Sequence, residues 1–124
     1  MYEVSKQPLQ GEFTLLPIED VYYGPGAVKG LGDRLATMNV SKALLITGRT
    51  LATKTDLVEK VMAAAAGRIA DVFYETQQHV HRGSVISAIE KARSLGVDGI
   101  VSFGGGTPND TGKAVIAGLA EGVQ

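Results

Sequence analysis

The chain has 124 residues, 44% of them hydrophobic, enough to build one core and one folded unit spanning residues 1–124. Twelve basic against thirteen acidic residues leave a net charge of −1, which gives no electrostatic footprint for nucleic acid or an anionic membrane. Cysteine is absent, which removes disulfide frameworks, thiolate catalysis and Cys-based metal sites, and the sequence has neither a membrane-length apolar run nor a signal-like start, so a soluble, cytoplasmic protein is expected.

Sixteen glycines fall mostly between apolar runs, where turns need positive φ. The segment from Phe13 to Tyr23 reads as one or two strands that begin the sheet, ended by Gly24-Pro25-Gly26. Val28, Leu31, Leu35 and Met38 then recur at helical spacing, and Asn39 closes that helix. Lys42 to Thr47 carries an unbroken apolar run, as a strand covered on both faces requires, which is the mark of a parallel sheet. A second helix is predicted from Lys54 to Ala66, with Leu57, Val58, Val61, Met62 and Ala65 inward and Gly67 as its stop. Ile69 to Tyr74 is a short strand. Gly83 to Leu95 is a helix with Val85, Ile86, Ile89 and Ala92 inward and Gly96 at its end. Gly99 to Phe103 is a strand that enters Gly104-Gly105-Gly106, and Pro108 to about Ala120 is helical.

This alternation predicts an α/β fold: a Rossmann-like, open, mostly parallel sheet with helices on both faces, starting with an N-terminal strand or hairpin. Ligands of such sheets bind beyond the carboxyl ends of the strands, which directs attention to the residues after Thr47, Tyr74 and Phe103.

Two glycine loops compete for a phosphate. Gly24 to Gly30 has the look of a dinucleotide fingerprint, but about 20 positions on, where a ribose-binding acid belongs, the chain has Thr47-Gly48-Arg49. Pro25 also removes an N–H from a loop that would need to donate such groups, so this loop is read as a structural turn. In Gly104 to Asp110 the chemistry is more complete. Three residues without side chains admit a pyrophosphate, and the following helix start offers free N–H groups and a favourable dipole. Thr107 is expected as N-cap, Pro108 at the first helical position and Asp110 at the third. From these residues alone, a well-capped helix without a ligand remains an equal reading.

The run Gly104-Gly105-Gly106-Thr107-Pro108-Asn109-Asp110-Thr111-Gly112-Lys113-Ala114 resembles the GGGSxxDxxKA signature of the iron-containing alcohol dehydrogenase family. The preceding segment from Asp98 to Phe103, the strand end Leu44 to Gly48 and the early turn Tyr23 to Gly26 also fall where that family places its counterparts. Maleylacetate reductases and glycerol dehydrogenases are similar members of the same dehydroquinate synthase-like superfamily. The resemblance implies an N-terminal NAD(P)-binding domain, with a divalent metal (iron or zinc) held by a C-terminal helical domain. It implies that Gly104, Gly105, Gly106 and Thr107 receive the cofactor pyrophosphate, Thr107 standing in for the usual serine. It places Asp110 toward the nicotinamide, and Lys113 matches the motif's lysine.

Where many members carry a ribose-binding aspartate this chain has Gly48, followed by Arg49. Without that carboxylate a 2′-phosphate is no longer repelled, and Arg49 can hydrogen-bond it, so NADP tolerance or preference is expected. After the third strand, Gln78-His79-Val80-His81 replaces the family's common ProAsnProThr, and His79 takes the place of a cofactor-contacting asparagine. A metal on His79 and His81 is disfavoured, because so short a segment supplies two ligands at most and no carboxylate lies beside them. The family's metal ligands would lie after Gln124, so the chain is expected to be a cofactor-binding fragment, inactive alone, of an enzyme that interconverts an alcohol and a carbonyl. That enzyme would take a small alcohol or carbonyl substrate and admits a homo-oligomer. A stand-alone nucleotide-binding module, a purely structural α/β domain and a non-redox dehydroquinate synthase-like relative are the other readings.

Overall fold

Ala43–Thr47 forms the strand β1, and every one of its residues is buried. Successive side chains of a strand point to opposite faces, so complete burial requires a cover on both sides. The computed structural model, which describes residues 20–76 and 82–121, supplies that cover. Ala43 and Leu45 belong to a core cluster with Leu35, Val61, Ala65 and Ile69, whereas Leu44 and Ile46 belong to a second cluster with Phe73, Ala88, Ile89, Ala92 and Val115.

The first cluster is built by α1 (Leu31–Thr37) and α3 (Leu57–Ala64), the second by α4 (Arg82–Leu95) and α5 (Gly106–Glu121). Strands β2 (Ile69–Phe73) and β3 (Gly99–Phe103) flank β1 in the order β2-β1-β3, and both pairings are parallel. The chain leaves β1 in one direction to form β2, then passes back across β1 to form β3. Right-handed crossovers taken in opposite directions must use opposite faces, which explains the two-sided cover. The predicted parallel α/β fold with helices on both faces is therefore observed. The predicted N-terminal strand lies mostly outside the described residues, and its described end, Asp20 to Tyr23, is not a strand.

The punctuation follows backbone chemistry. Asn39 ends the first helical segment at φ 61°, a conformation tolerated by Asn. At the end of α4, Gly96 takes φ 65° while its N–H meets the Arg93 carbonyl and the Val97 N–H meets Ala92, closing the last turn as a Schellman motif does. At the amino edge of the sheet the Asp98 carboxylate accepts from the Ser41 and Lys42 N–H groups, at 3.1 and 2.9 Å, and from the Ser41 hydroxyl. These donors, led by the Ser41 N–H, hold its pKa below the ordinary carboxylate value.

Three local expectations are corrected. The helix predicted to start at Lys54 starts at Leu57, and a separate short helix α2 (Arg49–Lys54) precedes it. Thr55 is the cause: it is extended, and its hydroxyl accepts from the Leu57 N–H and donates to the Leu51 carbonyl, so the chain turns there. The first helical face begins with a turn of 3-10 helix (Ala27–Gly30), and Val28 and Met38 at its ends stay 47% and 55% exposed; Leu35 carries the burial. In α4, Val85 and Ile86 are half-buried, while Ser84 and Ala88 join Ile89 and Ala92 in the interior.

Candidate functional site

With β1 in the middle and its two crossovers diverging, the topological switch point falls at the carboxyl ends of β1 and β3, where ligands of open α/β sheets bind. Thr47 and Phe103 are register partners at the ends of β1 and β3. The structure thereby sets Gly48-Arg49 beside Gly104 to Thr107, two segments more than 50 residues apart that the sequence had suggested separately.

Gly104 takes φ +135°, and a Cβ there would stand 3.0 Å from Pro108 Cγ and 3.4 Å from Leu51 Cδ1. No other residue type fits that position. Gly105 and Gly106 differ: their φ angles are not positive, they are exposed, and nothing lies within 4 Å of where a Cβ would be. Their backbone faces open space, an opening that a side chain would fill. The Asn109 N–H points back to the Gly105 carbonyl at 3.4 Å and α5 begins at Gly106. Thr107 is therefore a half-buried residue inside the first turn rather than the cap, and Pro108 and Asp110 move inward with it. The helix starts two residues earlier than expected, the Asn109 N–H is already taken by the Gly105 carbonyl, and Pro108 has no N–H to contribute. Asp110 and Lys113 are exposed on α5.

Gly48 is extended and precedes α2, and Arg49 follows as its first residue. The guanidinium of Arg49 lies 5.4 Å from the centre of the Tyr74 ring, within reach of a cation–π contact. Arg49 also borders a cleft of about 370 Å³ with Phe73, Glu75, Thr76, Gly83, Ser84 and Ser87. The Ser84 hydroxyl donates to the Glu75 carbonyl, which fixes the first turn of α4 against the segment after β2. Tyr74, Ser84 and Ser87 were not singled out from sequence; only the position of Tyr74 at a strand end hinted at it.

The strand ends are tied together by hydroxyls. Thr47, fully buried, donates to the Phe103 carbonyl at 2.7 Å, and Thr76 donates to the Thr47 carbonyl at 3.0 Å. The earlier glycine loop forms a turn: the Ala27 N–H meets the Gly24 carbonyl, and Gly24 and Gly26 take positive φ. A second, larger cleft of about 790 Å³ is lined chiefly by apolar residues, Val21, Tyr22, Tyr23, Ala27 and Val28 among them. It contains no strand end and no glycine of the 104–106 loop. His79 and His81 lie outside the described residues, and among those described no group of three or more His, Asp or Glu side chains assembles that could hold a metal. No helix among the described residues is long and apolar enough to cross a membrane.

Residues 19–124 match the model of the family described as iron-containing alcohol dehydrogenase. The chain is 34% identical over 105 residues to the 1,3-propanediol dehydrogenase of Citrobacter freundii, covering 82% of this chain and 27% of that protein. It is 34% identical over 94 residues to the NAD-dependent methanol dehydrogenase of Bacillus methanolicus, covering 74% of this chain and 24% of that one. A crystal structure of 1,3-propanediol oxidoreductase superposes with a TM-score of 0.68 at 29% identity, over 73% of this chain and 24% of that one. The chain thus spans about a quarter of the length of the curated relatives it matches. A family model that takes in the sheet, both helical layers and the glycine loop together decides the matter, and the chain belongs to the iron-containing alcohol dehydrogenase family.

Proposed function

We propose that this chain is the NAD(P)-holding part, one domain over residues 1–124, of an oxidoreductase that interconverts an alcohol and a carbonyl by hydride transfer. The carrying observation is the glycine loop: a turn that only Gly104 can make, followed by two open glycines at the start of a 16-residue helix, directly beyond the carboxyl end of β3. The names of the relatives, a propanediol and a methanol dehydrogenase, support the alcohol/carbonyl chemistry, and the second supports NAD.

In this reading Gly105, Gly106 and Thr107 hold the pyrophosphate, because bare backbone permits close approach and the helix start favours negative charge. Gly104 shapes the turn that brings them to it. Asp110, exposed on the same helix, lies toward the nicotinamide, and His79 completes the contacts. Gly48 and Arg49 receive the adenosine ribose. Arg49, steadied on Tyr74, favours a 2′-phosphate, while Glu75 on the same cleft opposes it. The balance of the two sets NADP against NAD, and we place it toward NADP. The nicotinamide, when bound, supplies the hydride acceptor or donor; the chain's part is to bind and orient it. The described residues do not fit a divalent metal, so we assign the metal and the alcohol to portions of the relatives that this chain does not cover.

Calorimetric titration of the chain with NADH and NADPH, beside a Thr107→Ala, Asp110→Ala double variant, tests the proposal. Binding by the parent chain and its loss in the variant is the expected result. A folded chain that binds neither nucleotide sinks the reading, and NADPH binding no better than NADH sinks the part that rests on Arg49.

A further inference from the structure

We infer that Thr47 is a positioning residue for the phosphate loop: its hydroxyl fixes the peptide plane that starts the 104–106 turn and holds that turn in register with Gly48-Arg49. The inference rests on the nucleotide reading above, but its core is geometric. Thr47 ends the central strand, is fully buried, and donates to the carbonyl of Phe103 at 2.7 Å. Phe103 is the last residue of β3, and its carbonyl belongs to the same planar peptide as the Gly104 N–H, with the two groups pointing in opposite directions. Capturing the oxygen therefore sets the direction of the N–H as well. It also holds the plane from which Gly104 departs at φ +135°, a conformation that would otherwise be one of several open to a glycine.

The same residue is tied on its other side. The Thr47 carbonyl accepts from Thr76, so a chain of two hydroxyl bonds runs from the segment after β2, through the end of β1, to the end of β3. These are the segments that border the Arg49 cleft and begin the glycine loop. Neither hydroxyl is needed by the sheet, whose own ladder pairs Thr47 with Phe103 through the backbone. A fully buried valine would fill the same space and suit a strand at least as well. A donor at this position has its use in the carbonyl that it holds.

The test compares Thr47→Val, which keeps the shape and removes the donor, with Thr47→Ser, which keeps the donor. Two readouts are needed: nucleotide titration, and NMR order parameters of the Gly104, Gly105 and Gly106 amides in the unliganded chain. The valine variant should weaken NADH and NADPH equally, by about tenfold, the size of one hydrogen bond's worth of positioning. It should also loosen the glycine amides, while the serine variant restores both within about threefold. Should the valine variant not fold, Thr47→Ala, which lacks any donor and differs from Thr47→Ser only by the hydroxyl, takes its place under the same expectations. Valine binding within about twofold of the parent chain, with unchanged glycine amides, would overturn the inference. So would equal losses in valine and serine, which would point to volume instead of the donor. If the parent chain binds no nucleotide, the proposed function fails by itself, and the glycine amides still judge Thr47.

Discussion

Replacing Gly104 and Gly105 by alanine, one at a time, separates the two duties of the glycine loop. At Gly104 the new side chain must sit at φ +135°, outside every region open to an L-residue, at a cost of about 1–3 kcal/mol. Its Cβ would also press on Pro108 Cγ at 3.0 Å, and that ring is buried at the head of α5 and cannot swing away. Against this, alanine loses less freedom on folding than glycine, a gain of about 0.4–1 kcal/mol. The crowding against Pro108 offsets that gain, so the net is a loss of about 1–3 kcal/mol, which for a chain of this size lowers Tm on the order of 4–12 °C. At Gly105 no positive φ and no neighbour within 4 Å stand in the way, so stability should change by less than about 0.5 kcal/mol. There the methyl occupies the space through which a pyrophosphate would approach, and nucleotide affinity should fall with the fold intact. Thermal unfolding beside calorimetric titration reads both. A Gly104→Ala chain that melts with the parent, or a Gly105→Ala chain destabilised as much as its neighbour, would refute the division of labour.

Two further perturbations test the frame. Leu45→Ala removes a fully buried side chain from the central strand and should cost about 2–5 kcal/mol in urea unfolding; a loss under about 1 kcal/mol would deny β1 its place in the core. Asp98→Ala should lower Tm at neutral pH. Because the folded-state pKa of Asp98 is depressed, its stabilisation is present above the ordinary carboxylate value and fades as pH falls through the lowered one. The Tm gap between variant and parent should therefore shrink below about pH 4, and a gap that is constant across that range would contradict the hydrogen bonds to Ser41 and Lys42.

The sequence was most readable where one local signal was strong. The unbroken apolar run of 43–46 reads as a strand covered on both faces, and Gly99 to Phe103 was bounded by Asp98 and the glycines. Helix ends marked by Asn39 and Gly96 fell where positive φ allowed the chain to turn. Reading failed where a side chain acted on its own backbone. Thr55 divides what looked like one helix, and its hydroxyl bonds at positions 51 and 57 compete with a signal that counts only apolar spacing. The cap expected at Thr107 moved because Gly106 itself enters the helix. At the site, the glycine loop and Arg49 were legible one by one. Their adjacency was not, since it depends on the pairing of Thr47 with Phe103, and the Tyr74 platform for Arg49 is a matter of strand order.

The seam between β1 and β3 is buttoned at both ends, by the Asp98 carboxylate at one edge and the Thr47 hydroxyl at the other, and its register runs unbroken for five residues. The seam between β1 and β2 slips between Ala43 and Leu44. Fraying of the sheet should therefore begin on the β2 side, where amide exchange is expected to be fastest. The slip lies at the amino end of β1, so such breathing should leave the carboxyl ends, tied from Thr76 through Thr47 to Phe103, in place around Arg49 and the glycine turn. The segment around Arg49 and the glycine turn then share one anchor, so a mutation at Thr47 reaches both.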